Sequence, residues 1–405
     1  MNSFLDKLQP YPFERLKGLT QGLKPNPGFK PINLSIGEPK HATPEVVVKA
    51  WREDLSGLSS YPATAGSLAL KQAITGWLER RYQLRGLDPN QHVLPVNGSR
   101  EALFAFAQTV IDPLQNQWVI SPNPFYQIYE GAALLAGGRT YLLPQEAEEG
   151  FACDWSSVPA EVWAKTALLF VCSPGNPTGS VIDLVQWKQL FELSERYGFV
   201  IASDECYSEI YFDKARPPLG ALQAAQQLGR DFSRLVSFTS LSKRSNCPGM
   251  RSGFVAGDPA LLKKFLLYRT YHGSAMNLVV QAASIAAWSD ETHVLANRRA
   301  YKAKFDAVMP LLSPHLQTAW PEAGFYVWGR VPGGDDVSFT LNLLSERNVH
   351  VLPGSFLARE LQSASGRVFN PGASFIRIAL VEPLDACIEG AQRIAAHAQA
   401  LAALA

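Results

Sequence analysis

Ser240-Leu241-Ser242-Lys243, followed by Arg251, puts hydroxyls, a primary amine and a guanidinium into one short stretch of chain. Such donors suit a phosphate, and the amine could form a Schiff base with a carbonyl compound. Lys243 lies between the β-like run 234–238 and the stiff turn Asn246-Cys247-Pro248-Gly249, which fits poorly with an ordinary solvated lysine. Gly98-Ser99-Arg100 follows the apolar run Val93 to Val96 and opens a helical pattern. The free N–H groups of a helix start offer an anion site, although small polar residues are also ordinary caps. Asp204 closes the apolar run Phe199 to Ala202. A carboxylate at a buried strand end must be paired or protonated, and a protonated pyridine nitrogen would pair with it; a helix cap or a structural ion pair is the plainer alternative. Tyr207, three residues on, and Asn176, in the turn Pro174-Gly175-Asn176-Pro177-Thr178-Gly179, could reach other sides of one ligand. In Phe375-Ile376-Arg377-Ile378-Ala379-Leu380, strand alternation puts Ile376, Ile378 and Leu380 on one face and Arg377 on the other. A guanidinium there needs an anion, and a carboxylate fits its fork.

These side chains need elements that bring them together. Between about residues 45 and 290, short β-branched or aromatic runs alternate with longer helical stretches, which predicts βαβ units and a mainly parallel sheet. The pattern predicts strands at 118–120, 167–172, 199–202, 234–238 and 253–256, and helices at 101–111 and 184–197. Ligands in such sheets bind beyond the carboxyl ends of the strands. Reading past each strand meets Asn97 to Arg100, Asn123 to Tyr126, Ser173 to Gly179, Ser203 to Tyr207 and Thr239 to Lys243. The first 35 or so residues, with Pro10, Pro12, Pro25, Pro27 and Pro31, read as an extended arm with at most one short helix. From about residue 290, a long helix, short strands at 324–328 and 375–380 and an Ala-rich last helix predict a smaller α+β unit.

Composition narrows the function classes. The 405-residue chain is 47% apolar and 18% charged, enough for a sizeable core. Thirty-seven Lys plus Arg against 36 Asp plus Glu leave a net charge of +1, so no global field draws nucleic acid or an anionic membrane. Apolar runs stop well short of the ~20 residues of a membrane helix, and Met1 to Lys7 lacks a secretory layout. The expectation is a soluble, cytoplasmic protein. Cys153, Cys172, Cys206, Cys247 and Cys387 are widely spaced and read as reduced thiols. With no Cys-x-x-Cys, His-Glu-x-x-His or Gly-Lys-Ser/Thr, no metal site and no phosphate-loop chemistry is expected.

In this order and spacing, the helix start at Gly98, the Asn123-Pro124-Phe125-Tyr126 turn, Asn176, Asp204-x-x-Tyr207, Ser240-x-x-Lys243 and Arg251 resemble the motifs of class I/II (fold type I) pyridoxal-phosphate aminotransferases. The resemblance runs from Ser35-Ile36-Gly37-Glu38-Pro39 through Tyr61-Pro62-Ala63-Thr64-Ala65-Gly66 to Phe375-Ile376-Arg377-Ile378. It implies an α/β fold whose large domain, 45–290, is built on a mainly parallel seven-stranded sheet flanked by helices. A small α+β domain would take 291–405, with 1–44 forming an arm and part of that small domain. It also implies pyridoxal 5'-phosphate as cofactor and ping-pong exchange between amino acids and 2-oxo acids such as glutamate and 2-oxoglutarate. On this reading Lys243 carries the cofactor as a Schiff base and moves the substrate proton, while Asp204 keeps the pyridine nitrogen protonated. Tyr207 and Asn176 contact the ring hydroxyl and Tyr126 stacks on the ring. Gly98, Ser99, Arg100, Ser240 and Arg251 hold the phosphate. Arg377 takes the substrate carboxylate, with Ile36 and Gly37 approaching it through backbone. Tyr61 would reach the neighbouring subunit's phosphate, so the site would be completed in a homodimer.

The segment Ser240 to Phe254 is similar to that of bacterial N-succinyl-L,L-diaminopimelate aminotransferases of lysine biosynthesis, although Cys247 and Ser252 replace residues that are aliphatic in many class I members. Aspartate, alanine or L,L-diaminopimelate aminotransferases are the nearest rivals, and a carbon–sulfur β-lyase shares the same Schiff base. A DNA-binding regulator is disfavoured by the neutral charge. Lys17, Lys24 and Arg244 are candidates for the distal end of the substrate, with a surface charge as the plainer reading of each.

Overall fold

A computed structural model describes residues 1–53, 55–363 and 365–403. Its central sheet has seven strands: β1 (Val93–Val96), β2 (Trp118–Asn123), β3 (Arg139–Pro144), β4 (Thr166–Cys172), β5 (Val200–Asp204), β6 (Leu235–Ser240) and β7 (Gly253–Gly257). They lie in the order β1-β7-β6-β5-β4-β2-β3. Six run in one direction, and β7 is antiparallel to both of its neighbours. The inner strands are apolar without alternation because helices cover both faces. In β4, Leu169 and Val171 join the core of Trp77, Trp187 and Trp288, while Leu168 and Phe170 point the other way toward Phe106, Phe238 and Phe265. Each large side chain buried this way contributes roughly 1.5–3 kcal/mol.

The helices that bear on the site are α1 (Pro12–Thr20), α2 (Ser99–Val110), α3 (Leu184–Tyr197), α4 (Leu241–Arg244), α5 (Thr292–Leu312) and α6 (Leu384–Ala402). Their limits follow local chemistry. Asp183 and Gln186 form a capping box at the start of α3, and Gly198 ends it in the left-handed conformation. A second sheet contains β8 (Gln317–Thr318), β9 (Tyr326–Arg330), β10 (Leu352–Pro353) and β11 (Phe375–Ala379), antiparallel in the order β10-β11-β9-β8. Val327, Ile376 and Ile378 on one face of it share a core with Phe305 and Leu312 of α5 and Ile394 of α6. The arm returns to this core: Ile32–Asn33 pair in parallel with Val349–His350, and Ile32 and Leu34 are buried there.

The arm holds the one short helix expected of it, α1, with Pro12 at its first position, where the missing N–H costs nothing, and adds a 3-10 turn at Ser3–Lys7. Two strands depart from the pattern read along the sequence. Strand β2 continues past Ile120 through Pro122 to Asn123. It tolerates the proline because β4 pairs with it only over Trp118 to Ile120, which leaves that side of Pro122 free of a ladder. The strand expected at 324–328 runs instead over 326–330, since Gly324 takes a φ of +94°. Among the described residues no helix is long and apolar enough to cross a membrane.

Candidate active site

The carboxyl ends of β4, β5 and β6 open into a cavity of about 490 Å³, closed from the other side by the arm and β11. Lys243 enters it from α4. That short helix starts at Ser240, whose Oγ accepts from the Ser242 N–H at 3.1 Å. The Lys243 amine donates to the Gly37 carbonyl at 2.5 Å. Burial lowers this amine to about 8, with Arg377 and Arg100 pushing the same way and Cys206 and Glu38 opposing.

Asp204, at the end of β5, is 4% exposed. Its Oδ2 accepts from the Tyr129 hydroxyl at 2.8 Å and its Oδ1 from the Cys206 N–H at 3.3 Å. Among the described residues it has no ion-pair partner. Burial raises its carboxyl above the usual range, against those hydrogen bonds and the field of Lys243. A cation brought to this carboxylate would therefore be held strongly, and a protonated ring nitrogen meets that requirement.

One wall is set by β11. Arg377 donates to Asn176 Oδ1 at 3.0 Å and to the Ser35 carbonyl at 2.9 Å, and its guanidinium lies 4.4 Å from the centre of the Tyr326 ring. It is 3% exposed, has no carboxylate partner among the described residues, and leaves its buried Nε without a hydrogen bond. The Tyr326 and Tyr207 hydroxyls pair at 3.0 Å. Gly37 passes so close that a Cβ there would sit 1.9 Å from the Tyr326 oxygen, so only glycine lets the arm cross here.

The opposite end is built for an anion. Gly98 caps α2 with a φ of +88°, and a Cβ on it would meet Arg251 Nη2 at 2.4 Å. The bare backbone thus admits the guanidinium to the helix start, where Ser99 and Ser240 also face the cavity. Arg251 is oriented by donating to the Pro248 carbonyl at 2.9 Å. Arg100 donates through Nε to the Tyr126 hydroxyl at 2.7 Å, which fixes both side chains at the rim. A phosphate cradle, an amine for a carbonyl and a carboxylate for a ring nitrogen lie within one cavity, and together these residues fit pyridoxal phosphate.

Of the residues singled out along the sequence, Ile36, Gly37, Ser99, Arg100, Tyr126, Asn176, Asp204, Tyr207, Ser240, Lys243, Arg251 and Arg377 all line this cavity. Gly98 lies behind Arg251 rather than on the wall. Tyr61 is fully exposed and lies outside the lining. Neither Lys17 nor Lys24 lines it, and Arg244 is neither a surface charge nor a distal-end ligand. Arg244 is 1% exposed between Trp77 and Trp288, donating to the Ala287 carbonyl at 2.7 Å and Glu291 at 2.6 Å. At the two unusual positions, Cys247 Sγ donates to the Ser245 carbonyl and the Ser252 hydroxyl pairs with that of Ser284, so both are internally satisfied. Sequence reasoning missed Tyr129, Tyr326 and Cys206. A signal existed for Tyr129, which follows Tyr126 by three residues, whereas Tyr326 is brought to Arg377 by the pairing of β9 with β11.

The family model for aminotransferase class I and II matches residues 30–378. An L,L-diaminopimelate aminotransferase of Desulforudis audaxviator (strain MP104C) is 30% identical over 396 residues, covering 96% of this chain and 95% of that protein. Its counterpart in Nitratidesulfovibrio vulgaris (strain DP4) is 32% identical over 373 residues, covering 91% and 92%. Among solved structures, an aminotransferase from Neisseria meningitidis Z2491 superposes with a TM-score of 0.93 at 54% identity, covering 98% of this chain and 99% of that one. A probable N-succinyldiaminopimelate aminotransferase from Thermus thermophilus gives a TM-score of 0.81 at 28% identity, covering 94% and 97%. With its fold type I architecture and a cavity suited to pyridoxal phosphate, on which this family depends, the chain belongs to the class I and II aminotransferases.

Proposed function

We propose that the chain exchanges the α-amine of a diaminopimelate-type donor, in its N-succinylated form, with 2-oxoglutarate as a step of lysine biosynthesis. The reaction type rests on one observation: among the described residues, a single cavity holds an enclosed amine, a buried carboxylate without a cationic partner and a buried guanidinium without an anionic one. Pyridoxal phosphate, when bound, supplies an electron sink for the charge left on the substrate α-carbon. Lys243, its amine lowered to about 8, would hold the cofactor through its carbonyl carbon; once the substrate amine has displaced it there, the freed amine would take the α-proton as general base and return it at the cofactor C4'. Asp204 keeps a proton on the ring nitrogen, held in place by Tyr129. Tyr207 and Asn176 orient the ring hydroxyl, and Tyr126 covers the ring face. Gly98, Ser99, Arg100, Ser240 and Arg251 hold the phosphate. Arg377 binds the α-carboxylate as a fork, with Asn176 and Tyr326 fixing its plane and Ile36 and Gly37 closing over the substrate. Tyr61, exposed on this chain, would complete the site of a second copy in a homodimer.

The N-succinyl donor is supported by the lysine segment Ser240 to Phe254 and by the likeness to the Thermus thermophilus structure. A second reading, unsubstituted L,L-diaminopimelate, is supported by the relatives at 30% and 32% identity that carry that name. Glutamate formation from 2-oxoglutarate should be measured with each of the two donors and with aspartate. The expected result is the highest kcat/KM for the N-succinyl donor. Equal or better turnover of the free diamino acid would favour the second reading, and equal or better turnover of aspartate would reject both.

A further inference from the structure

Lys243 sits in a helix of only four residues. So short a helix cannot hold itself, and its last carbonyls have no partner within it. Ser240 secures its start. Its end is met by Asn297, a buried side chain of α5 and 54 residues further along the chain. The Asn297 amide nitrogen donates to the Lys243 carbonyl at 3.2 Å and to the Arg244 carbonyl at 3.5 Å. Because two carbonyls can face only a donor, the amide orientation is fixed and its oxygen is turned the other way. That oxygen accepts from Asn246 Nδ2 at 3.0 Å and pairs with His41 Nδ1 at 2.9 Å, which requires the hydrogen of a neutral His41 to be on Nδ1. His41 in turn packs its ring against Tyr301, also on α5, at 4.7 Å between centroids. One amide thus joins the arm, the lysine helix and the long helix α5.

We propose that Asn297, oriented by His41, is the positioning residue that fixes the backbone of Lys243 and so aims its amine. This rests on the reading of Lys243 as the cofactor-carrying lysine. Asn297 does not line the cavity; it acts through the lysine carbonyl. A displacement of about 1 Å at a reacting group can cost ~100-fold.

The test uses the full-length chain stripped of cofactor, as wild type, Asn297→Asp and His41→Phe. Aspartate keeps the shape of the amide but offers no donor to the carbonyls. Phenylalanine keeps the ring against Tyr301 but has no Nδ1–H. Pyridoxal phosphate is added, the lysine adduct is trapped with borohydride at timed intervals, and the labelled peptide is identified by mass spectrometry; kcat and KM are measured on reconstituted protein. The expected result is capture at Lys243 at least tenfold slower for Asn297→Asp and at least threefold slower for His41→Phe. Similar losses should appear in kcat, with KM within about twofold. A purely structural role would lower the folded yield and leave the capture rate per folded molecule unchanged. Capture rate and kcat within twofold of wild type in both variants would overturn the inference. Label on a lysine other than Lys243 in the wild type would instead overturn the reading beneath it.

Discussion

Arg244 and Arg377 are buried alike, at 1% and 3% exposure, and both lie against aromatic rings. They differ in what answers their charge. Arg244 is neutralised by Glu291 and two backbone carbonyls, and the tryptophans around it complete a closed structural unit. Among the described residues Arg377 has only neutral acceptors, an amide oxygen and one carbonyl. The same contrast separates two acids five residues apart. Glu209 is bridged by Arg81 and by Arg298 at 3.0 Å, whereas Asp204 faces the cavity with a tyrosine hydroxyl and a backbone N–H. Burial therefore does not distinguish site from scaffold. A buried charge is costly unless it is paired, so a charge the chain leaves unpaired marks where a ligand must supply the partner.

The contrast can be broken at several points. Asp204→Asn should lower kcat by about 10²- to 10³-fold, because a preorganised charge opposite the ring nitrogen is lost; steady-state kinetics on cofactor-saturated protein would read it. Arg377→Leu should raise KM about 100-fold for both the amino acid and the 2-oxo acid, the size expected for charge-assisted hydrogen bonds to a carboxylate. Its folding stability should stay near wild type, since no internal counter-charge is stranded. Arg244→Leu should do the reverse, costing about 2 kcal/mol in urea unfolding through the hydrogen bonds lost to the Ala287 and Asp290 carbonyls, while KM of the folded enzyme is retained.

A smaller effect concerns Lys243 without cofactor. Its amine lies near 8 in the fold and near 10.5 when unfolded. Below pH 8 both states are charged and folding bears the full burial penalty. Between pH 8 and 10.5 the unfolded chain binds more protons, so stability rises with pH. Lys243→Met should abolish that rise and make the apoprotein roughly 2 kcal/mol more stable at pH 7. A wild-type stability that is flat across this window would count against the buried amine.

Much of this site was legible because chemistry and periodicity coincide in it. Asp204, Lys243 and Asn176 each end or follow a strand that is apolar for structural reasons, and the rule for strand ends puts them at one edge. The partners were not legible. Glu291, which makes Arg244 structural, lies 47 residues downstream, and nothing near Arg244 announces it. Tyr326 reaches Arg377 through the pairing of β9 with β11, a register that neither segment specifies alone. Asn297 lies inside a helix with no motif around it, and its role depends on how α5 crosses α4. Local sequence carries the reactive groups, and long-range packing decides which of them the protein itself neutralises.

The most direct test is optical. Purified protein supplied with pyridoxal phosphate should show a visible absorption band that L-glutamate bleaches and 2-oxoglutarate restores, and Lys243→Ala should lose that cycle. A colourless wild type that takes up no cofactor, or a Lys243→Ala protein that still completes the cycle, would contradict the assignment of this cavity as an aminotransferase site built on Lys243.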